Sequence, residues 1–254
     1  MSGATGAAHG LAYYKPRPEA TLRLFCFPYA GGSALIYRQW ADQLPPQVEV
    51  CAVQLPGRGH RIREAPLSRM APLAALLARD IRPLLDKPFA FFGHSMGATI
   101  SFELARLLRR DGAPQPSHLF VSGRSAPQVP DTDPPTYDLP EPEFIEHLRR
   151  LNGTPPEVFD EPDLLRVMLP LVRADFEVIQ TYAYEEEPPL DCPITVYGGL
   201  LDGEVKREHL DAWCAQTKAP CAMRLFPGDH FFINANRDLL LQTLTRDLYE
   251  HRLL

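Results

Sequence analysis

A chain of 254 residues, 45% hydrophobic and 23% charged, has the composition of an ordinary soluble globule. Its length suits one α/β domain with a large core and room for an insertion. A formal net charge of −6 without any dense Lys/Arg block argues against nucleic acid as a partner, and no run of about 18 apolar residues is present to span a membrane. Residues 1–10 are small and polar, expected to be loosely attached, and lack the order of a secretory signal. The cysteines at 26, 51, 192, 214 and 221 include no C-x-x-C. Buried free thiols in a reducing, cytoplasmic setting are expected, and no metal site.

In chain order, Leu11 to Lys15 is a weak edge-strand candidate. Leu22 to Phe27 predicts a strand that runs into Pro28-Tyr29-Ala30-Gly31-Gly32-Ser33, a loop whose glycines let backbone N–H groups approach a ligand. A helix is expected over 34–43, a strand over 48–54, and then a breaker-rich loop, Leu55-Pro56-Gly57-Arg58-Gly59-His60. Residues 73–85 have helical apolar spacing, with Pro72 suited to a first turn. Phe89 to Gly93 reads as a short buried strand, and 98–110 as a helix with Ile100, Leu104, Leu107 and Leu108 on one stripe. His118 to Ser122 is the next strand. Repeated strand–helix units with gaps of crossover length predict a mainly parallel sheet with helices on both faces.

That rhythm stops at Arg124. Residues 124–190 are rich in proline and acid, with helical segments expected over 141–151, 163–172 and 173–182. So long a stretch is not a structureless connection, and it is read as an inserted helical lid on the single domain 1–254. The candidate pocket residues are Phe144, Leu148, Met168 and Phe176, together with Tyr29 of the early loop. The insertion's apolar side chains, Leu171 and Tyr182 among them, equally suit a small core of its own. Alternation resumes with a strand over 193–198, a helix over 204–217, a strand over 221–226 and a closing helix over 238–254.

The chemistry gathers on Gly93-His94-Ser95-Met96-Gly97, a serine between a strand and a helix with glycine two residues to either side. A tight strand-to-helix turn leaves no room for side chains at those flanking positions, and the helix start leaves free N–H groups beside the serine. A serine hydroxyl needs a base, and a histidine oriented by a carboxylate supplies one. Loops after parallel strands converge on one sheet edge, so Asp202 after one late strand and His230 after the last can meet Ser95 there. His60 is the only rival base in a suitable loop. His94 is expected to pack behind the turn, His147 belongs to the insertion, and His209 and His251 are read as surface residues. Among acids, Asp229 abuts the base, while Asp131 and Asp133 lie along a proline-rich segment. Asp202 itself has a second reading, as an N-cap for the following helix. The oxyanion donors expected are the Met96 N–H and one N–H of the Tyr29–Gly31 loop, which spacing alone does not identify.

Five segments in this order resemble a type II thioesterase of polyketide or nonribosomal peptide synthesis. They are Phe27–Ser33, Leu55–Gly59, Gly93–Gly97, Gly198-Gly199-Leu200-Leu201-Asp202 and Gly228-Asp229-His230-Phe231-Phe232. The resemblance runs from about Leu22 to the last helix and implies the α/β-hydrolase fold. It implies Ser95 as nucleophile, His230 as base, Asp202 as orienter, and the N–H groups of Met96 and Ala30 as oxyanion donors. It further implies editing hydrolysis of stalled or wrongly loaded acyl groups on carrier proteins. The phosphopantetheine arm then belongs to the substrate, and the enzyme, expected to be a monomer, carries no cofactor. Arg58 matches the pattern without a secure task, a structural anchor being favoured over direct contact with the carrier. Chain release or cyclisation, carboxylester hydrolysis, and noncatalytic acyl binding are the competing readings.

Overall fold

The computed structural model describes residues 10–12 and 15–254. The loose tail expected over residues 1–10 therefore lies almost wholly outside the described residues, as do positions 13 and 14 of the edge-strand candidate. The elements in order are β1 (Leu11–Ala12), β2 (Leu22–Phe27), α1 (Trp40–Gln43), β3 (Val48–Val53), α2 (Met70–Ile81), β4 (Phe89–His94), α3 (Met96–Arg110) and β5 (His118–Ser122). Then follow α4 (Glu141–Leu151), α5 (Pro162–Gln180), β6 (Ile194–Gly199), α6 (Arg207–Asp211), β7 (Cys221–Phe226), α7 (Phe232–Ala235) and α8 (Arg237–Glu250).

The strands form one sheet in the order β1-β3-β2-β4-β5-β6-β7, parallel throughout except for β1 against β3. Period-2 alternation divides its side chains between two cores. Phe25, Phe27, Phe89 and Phe91 enter one core with Leu77, Leu104 and Trp213, while Leu24, Cys26, Ala90 and Phe92 enter the other with Trp40, Tyr197 and Leu244. Phe25 meets both Phe89 and Phe91 edge-on, with centroids 5.8 and 5.9 Å apart. Each such pair contributes about 0.5–1.5 kcal/mol beyond simple burial. The result is a rigid platform under β2 and β4, whose carboxyl ends carry the glycine-rich loop and Ser95. Because β3 lies on one side of β2 and β4 on the other, those two ends flank the switch point, where a crevice forms.

No sheet strand lies between Ser122 and Ile194. The two helices expected over 163–172 and 173–182 are one, α5, with Pro170 inside it. A proline there forfeits a backbone bond, but the apolar stripe through Leu171, Val172, Val178 and Ile179 stays in register across it. Burial of that stripe outweighs the local loss. Phe144, Leu148, Phe159, Leu169, Leu171 and Val172 form a third, separate core within this segment. Its return leg is tied to α3. The buried Arg106 pairs with Glu103 at 2.6 Å and Glu187 at 2.8 Å, and the Tyr182 hydroxyl donates to Glu103 at 2.7 Å.

Two further expectations are corrected. The helix expected over 204–217 is only α6 followed by a 3-10 turn over Ala212–Gln216. Cys214 at that turn and Cys221 at the start of β7 are a disulfide, with Cα atoms 5.4 Å apart, so the expectation of free thiols fails for these two. A spacing of seven residues carries no motif; the hairpin-like return from turn to strand is what brings the pair together.

His118 makes a testable demand on stability. It is fully buried in β5, stacked on Phe120 with centroids 4.2 Å apart, and its Nε2 lies 2.8 Å from Thr195 Oγ1. Burial, helped by the nearby His251 ring, lowers its pKa to about 3. In the unfolded chain an imidazole titrates near 6.5, about where the unfolded state begins to bind a proton that the folded state refuses. Folding stability should therefore decline as pH falls from about 6.5 towards 3. Urea melts across that window should show His118→Phe with a flatter acid limb than wild type, and an identical limb would remove His118 as its source.

Candidate active site

Ser95 sits between the last residue of β4 and the first of α3, with φ 52° and ψ −118°, a conformation rare for any residue with a side chain. Its backbone N–H donates to Ser122 O at 2.7 Å, which holds the turn against β5. The flanking glycines are steric requirements. A Cβ on Gly93 would lie 2.1 Å from Gly97 O, and one on Gly97 would lie 2.1 Å from Phe27 O. Behind the turn His94 is fully buried, with Nδ1 2.9 Å from Ser122 Oγ and its ring 5.3 Å from that of His230. Burial, reinforced by the neighbouring His230, pushes the His94 pKa well below the usual imidazole range. A neutral ring at that place adds no repulsion when its neighbour gains a proton.

Asp202, after β6, pairs with the histidine but is not the N-cap expected, because α6 begins only at Arg207, with Lys206 at the cap position. Its Oδ2 lies 2.9 Å from His230 Nδ1, while Oδ1 accepts the N–H groups of Glu204 at 2.8 Å and Val205 at 3.2 Å. These loop N–H groups fix the carboxylate, and the carboxylate fixes the ring. A carboxylate only accepts, so Nδ1 carries the hydrogen and Nε2 presents a lone pair. Asp229 meanwhile accepts the Phe231 N–H at 2.9 Å, a turn contact and no more.

A cavity of about 1060 Å³ lies over this edge of the sheet. Ser95, Met96, Ala30 and His230 all line it, as do Tyr29, Leu148, Met168 and Phe176 of the expected pocket. The Ser95 hydroxyl makes no hydrogen bond among the described residues; Ser95 and His230 share the cavity wall. Met96 opens α3, so its N–H has no intrahelical acceptor. Phe144 is a correction. It is fully enclosed in the core of the 141–172 segment, edge-on to Phe176 at 5.5 Å and beneath the Arg173 guanidinium, and does not reach the cavity. Its place on the inner stripe of α4 gives it to that core. His209 is a correction too, since it lines the cavity with Nδ1 3.4 Å from Ser125 Oγ. His60 is exposed on a 3-10 turn away from the cavity. Among the described residues no three His, Cys, Asp or Glu side chains are grouped to hold a metal ion.

Arg58, favoured as a structural anchor, is the partner of Asp175, the residue that sequence reasoning missed. Both are buried, 6% and 2% exposed, and they pair through two bonds of 2.7 Å, Arg58 Nη1 to Asp175 Oδ2 and Nη2 to Oδ1. Asp175 Oδ2 also accepts the Gly31 N–H at 2.7 Å, and Arg58 Nη1 donates to Gly32 O at 2.9 Å. A signal was present in the sequence. Asp175 falls on the α5 stripe defined by Leu171 and Val178, where an acid survives only with a partner.

A family model described as a thioesterase domain matches residues 22–248. The chain is 45% identical over 229 residues to the gramicidin S biosynthesis protein GrsT of Aneurinibacillus migulanus, covering 90% of each. Among solved structures it resembles the type II thioesterase BorB from the borrelidin biosynthetic cluster, with 35% identity, 97% of each chain covered and a TM-score of 0.85. It also resembles the RedJ thioesterase from the prodiginine pathway in Streptomyces coelicolor, with 40% identity, 92% and 88% covered and a TM-score of 0.84.

Proposed function

We infer, for a chain that belongs to the thioesterase family and is a thioester hydrolase, that it clears acyl groups from the phosphopantetheine arms of carrier proteins in polyketide or nonribosomal peptide synthesis. The role is editing, in the cytoplasm, by a monomer acting on stalled or wrongly loaded arms. One observation carries this reading: His230 Nδ1 is bonded to Asp202 at 2.9 Å on the same cavity wall as the strained Ser95.

In this mechanism residues 124–190 act as a lid, and the arm enters beneath it. His230 Nε2 takes the Ser95 proton as Oγ attacks the thioester carbonyl. The N–H groups of Ala30 and Met96 receive the oxyanion, and protonated His230 returns its proton to the departing thiol. Water then attacks the acyl-serine with His230 again as base, and the free acid leaves. The only pantetheine involved is the substrate's own. Tyr29, Leu148, Met168 and Phe176 form the apolar wall that receives the acyl chain.

Mass spectrometry of a panel of acyl-loaded carrier proteins tests substrate and partner together. Incubation should return each carrier at its unacylated mass with a free acid in solution, and rapid quenching should catch the enzyme heavier by one acyl group at Ser95. Macrocyclic products would move the reading to chain release. Intact acyl-carriers beside rapid cleavage of simple oxygen esters would move it to a carboxylesterase.

A further inference from the structure

The loop that must aim an N–H at the oxyanion is poorly suited to hold itself still. Gly31 and Gly32 follow Ala30 directly, and glycine has the widest backbone freedom of any residue. One internal bond, Gly32 N–H to Tyr29 O at 2.9 Å, closes the turn. Every other restraint comes from outside it. The Gly31 N–H is held by the Asp175 carboxylate at 2.7 Å, and the Gly32 carbonyl by Arg58 at 2.9 Å. The Ala30 N–H belongs to the planar Tyr29–Ala30 peptide unit, whose carbonyl accepts the Gly32 N–H at 2.9 Å, so restraints on Gly31 and Gly32 reach that unit through this bond. The supporting helix lies directly on the loop, since a Cβ on Gly31 would come within 3.2 Å of Val172 Cγ2.

We propose that Arg58 and Asp175 are positioning residues for the oxyanion loop, a buried brace through which α5 holds the Ala30 N–H on the developing charge. The proposal rests on the acyl-serine reading above. Its physical content is division of labour. Asp175 binds the loop, and Arg58 neutralises and orients Asp175 with a two-pronged contact that a lysine cannot reproduce. The third bond, from Arg58 to Gly32 O, makes the brace span both glycines. The segment 124–190 thus supplies a fixed part of the catalytic edge as well as a cover for it.

The test compares Asp175→Asn, Arg58→Lys and the double variant Arg58→Met/Asp175→Leu with wild type. The double variant removes both charges together, so it leaves no buried ion unpaired and separates support of the fold from support of the loop. Each protein is assayed on an acyl-pantetheine thioester and on a p-nitrophenyl ester. Each is also titrated with an alkylboronic acid, whose tetrahedral adduct on serine needs the oxyanion donors. All three variants should lose about 10- to 100-fold in kcat with KM changed by less than about threefold, and boronate affinity should fall in step with kcat. Thermal melts should find the double variant folded. A folded double variant with wild-type kcat and boronate affinity would reduce the pair to a structural staple and overturn the proposal. Full activity in Asp175→Asn would do the same while leaving the acyl-serine reading intact. Wild-type turnover by Ser95→Ala would instead sink that reading.

Discussion

Ser95→Ala should lower kcat on a carrier-bound thioester by about 10⁴- to 10⁶-fold and leave the fold unharmed. The serine hydroxyl has no hydrogen-bond partner among the described residues, so its loss leaves no buried group unsatisfied. The strained backbone at 95 is imposed by the turn between β4 and α3 and stays with alanine. The melting temperature should therefore remain within a few degrees of wild type while turnover vanishes. Under the proposed function, carrier affinity should persist, because the arm would contact the cavity walls and not the hydroxyl alone. Residual turnover above about 1% of wild type, after exclusion of contaminating esterase, would remove Ser95 from the chemistry.

Asp202→Asn should be the second most damaging change, and the more informative one. An asparagine has nearly the shape of aspartate, and its Oδ1 can still accept the Glu204 and Val205 N–H groups, so the loop and the local fold should survive. Its other terminal atom becomes an NH₂ group facing His230 Nδ1. Nδ1 must then accept, which shifts the ring hydrogen to Nε2, the nitrogen needed as a lone pair. Loss of the correct tautomer in an intact frame should cost about 10³- to 10⁴-fold in kcat, or roughly 4–5.5 kcal/mol of transition-state stabilisation. Asp202→Ala should add a stability loss of about 1 kcal/mol from the lost loop hydrogen bonds to Glu204 and Val205. Equal kcat values for Asp202→Asn and wild type, with matching melts, would leave Asp202 as a loop anchor and nothing else.

The two variants probe a division seen throughout the molecule. Ser95, Asp202 and His230 were legible because each follows a strand and is surrounded by glycine or turn residues that do local work. Gly93 and Gly97 announce the elbow in the sequence because any side chain there would strike backbone at 2.1 Å. Asp202 shows itself as a turn former, though the helix it was expected to cap begins only at Arg207. Phe144 was misplaced because an apolar residue on an amphipathic helix has the same signature whether it lines a cavity or fills a core, and the facing side chain decides which. The Cys214–Cys221 disulfide and the cavity-side position of His209 were equally invisible, since both depend on how a short turn packs against its neighbours.

The sequence by itself determined the sheet and helix rhythm, the strand that carries the serine, and the chain order of Ser95, Asp202 and His230, the proposed nucleophile, acid and base. These follow from periodicity and turn chemistry, which act over a few residues. Only the tertiary structure decided that Asp175, on α5, would pair with Arg58 and hold the glycine loop after β2. No local rule links positions 58 and 175, because a buried charge states only that it needs a partner. Which partner it finds is set by the packing that brings α5 down over the edge of the sheet.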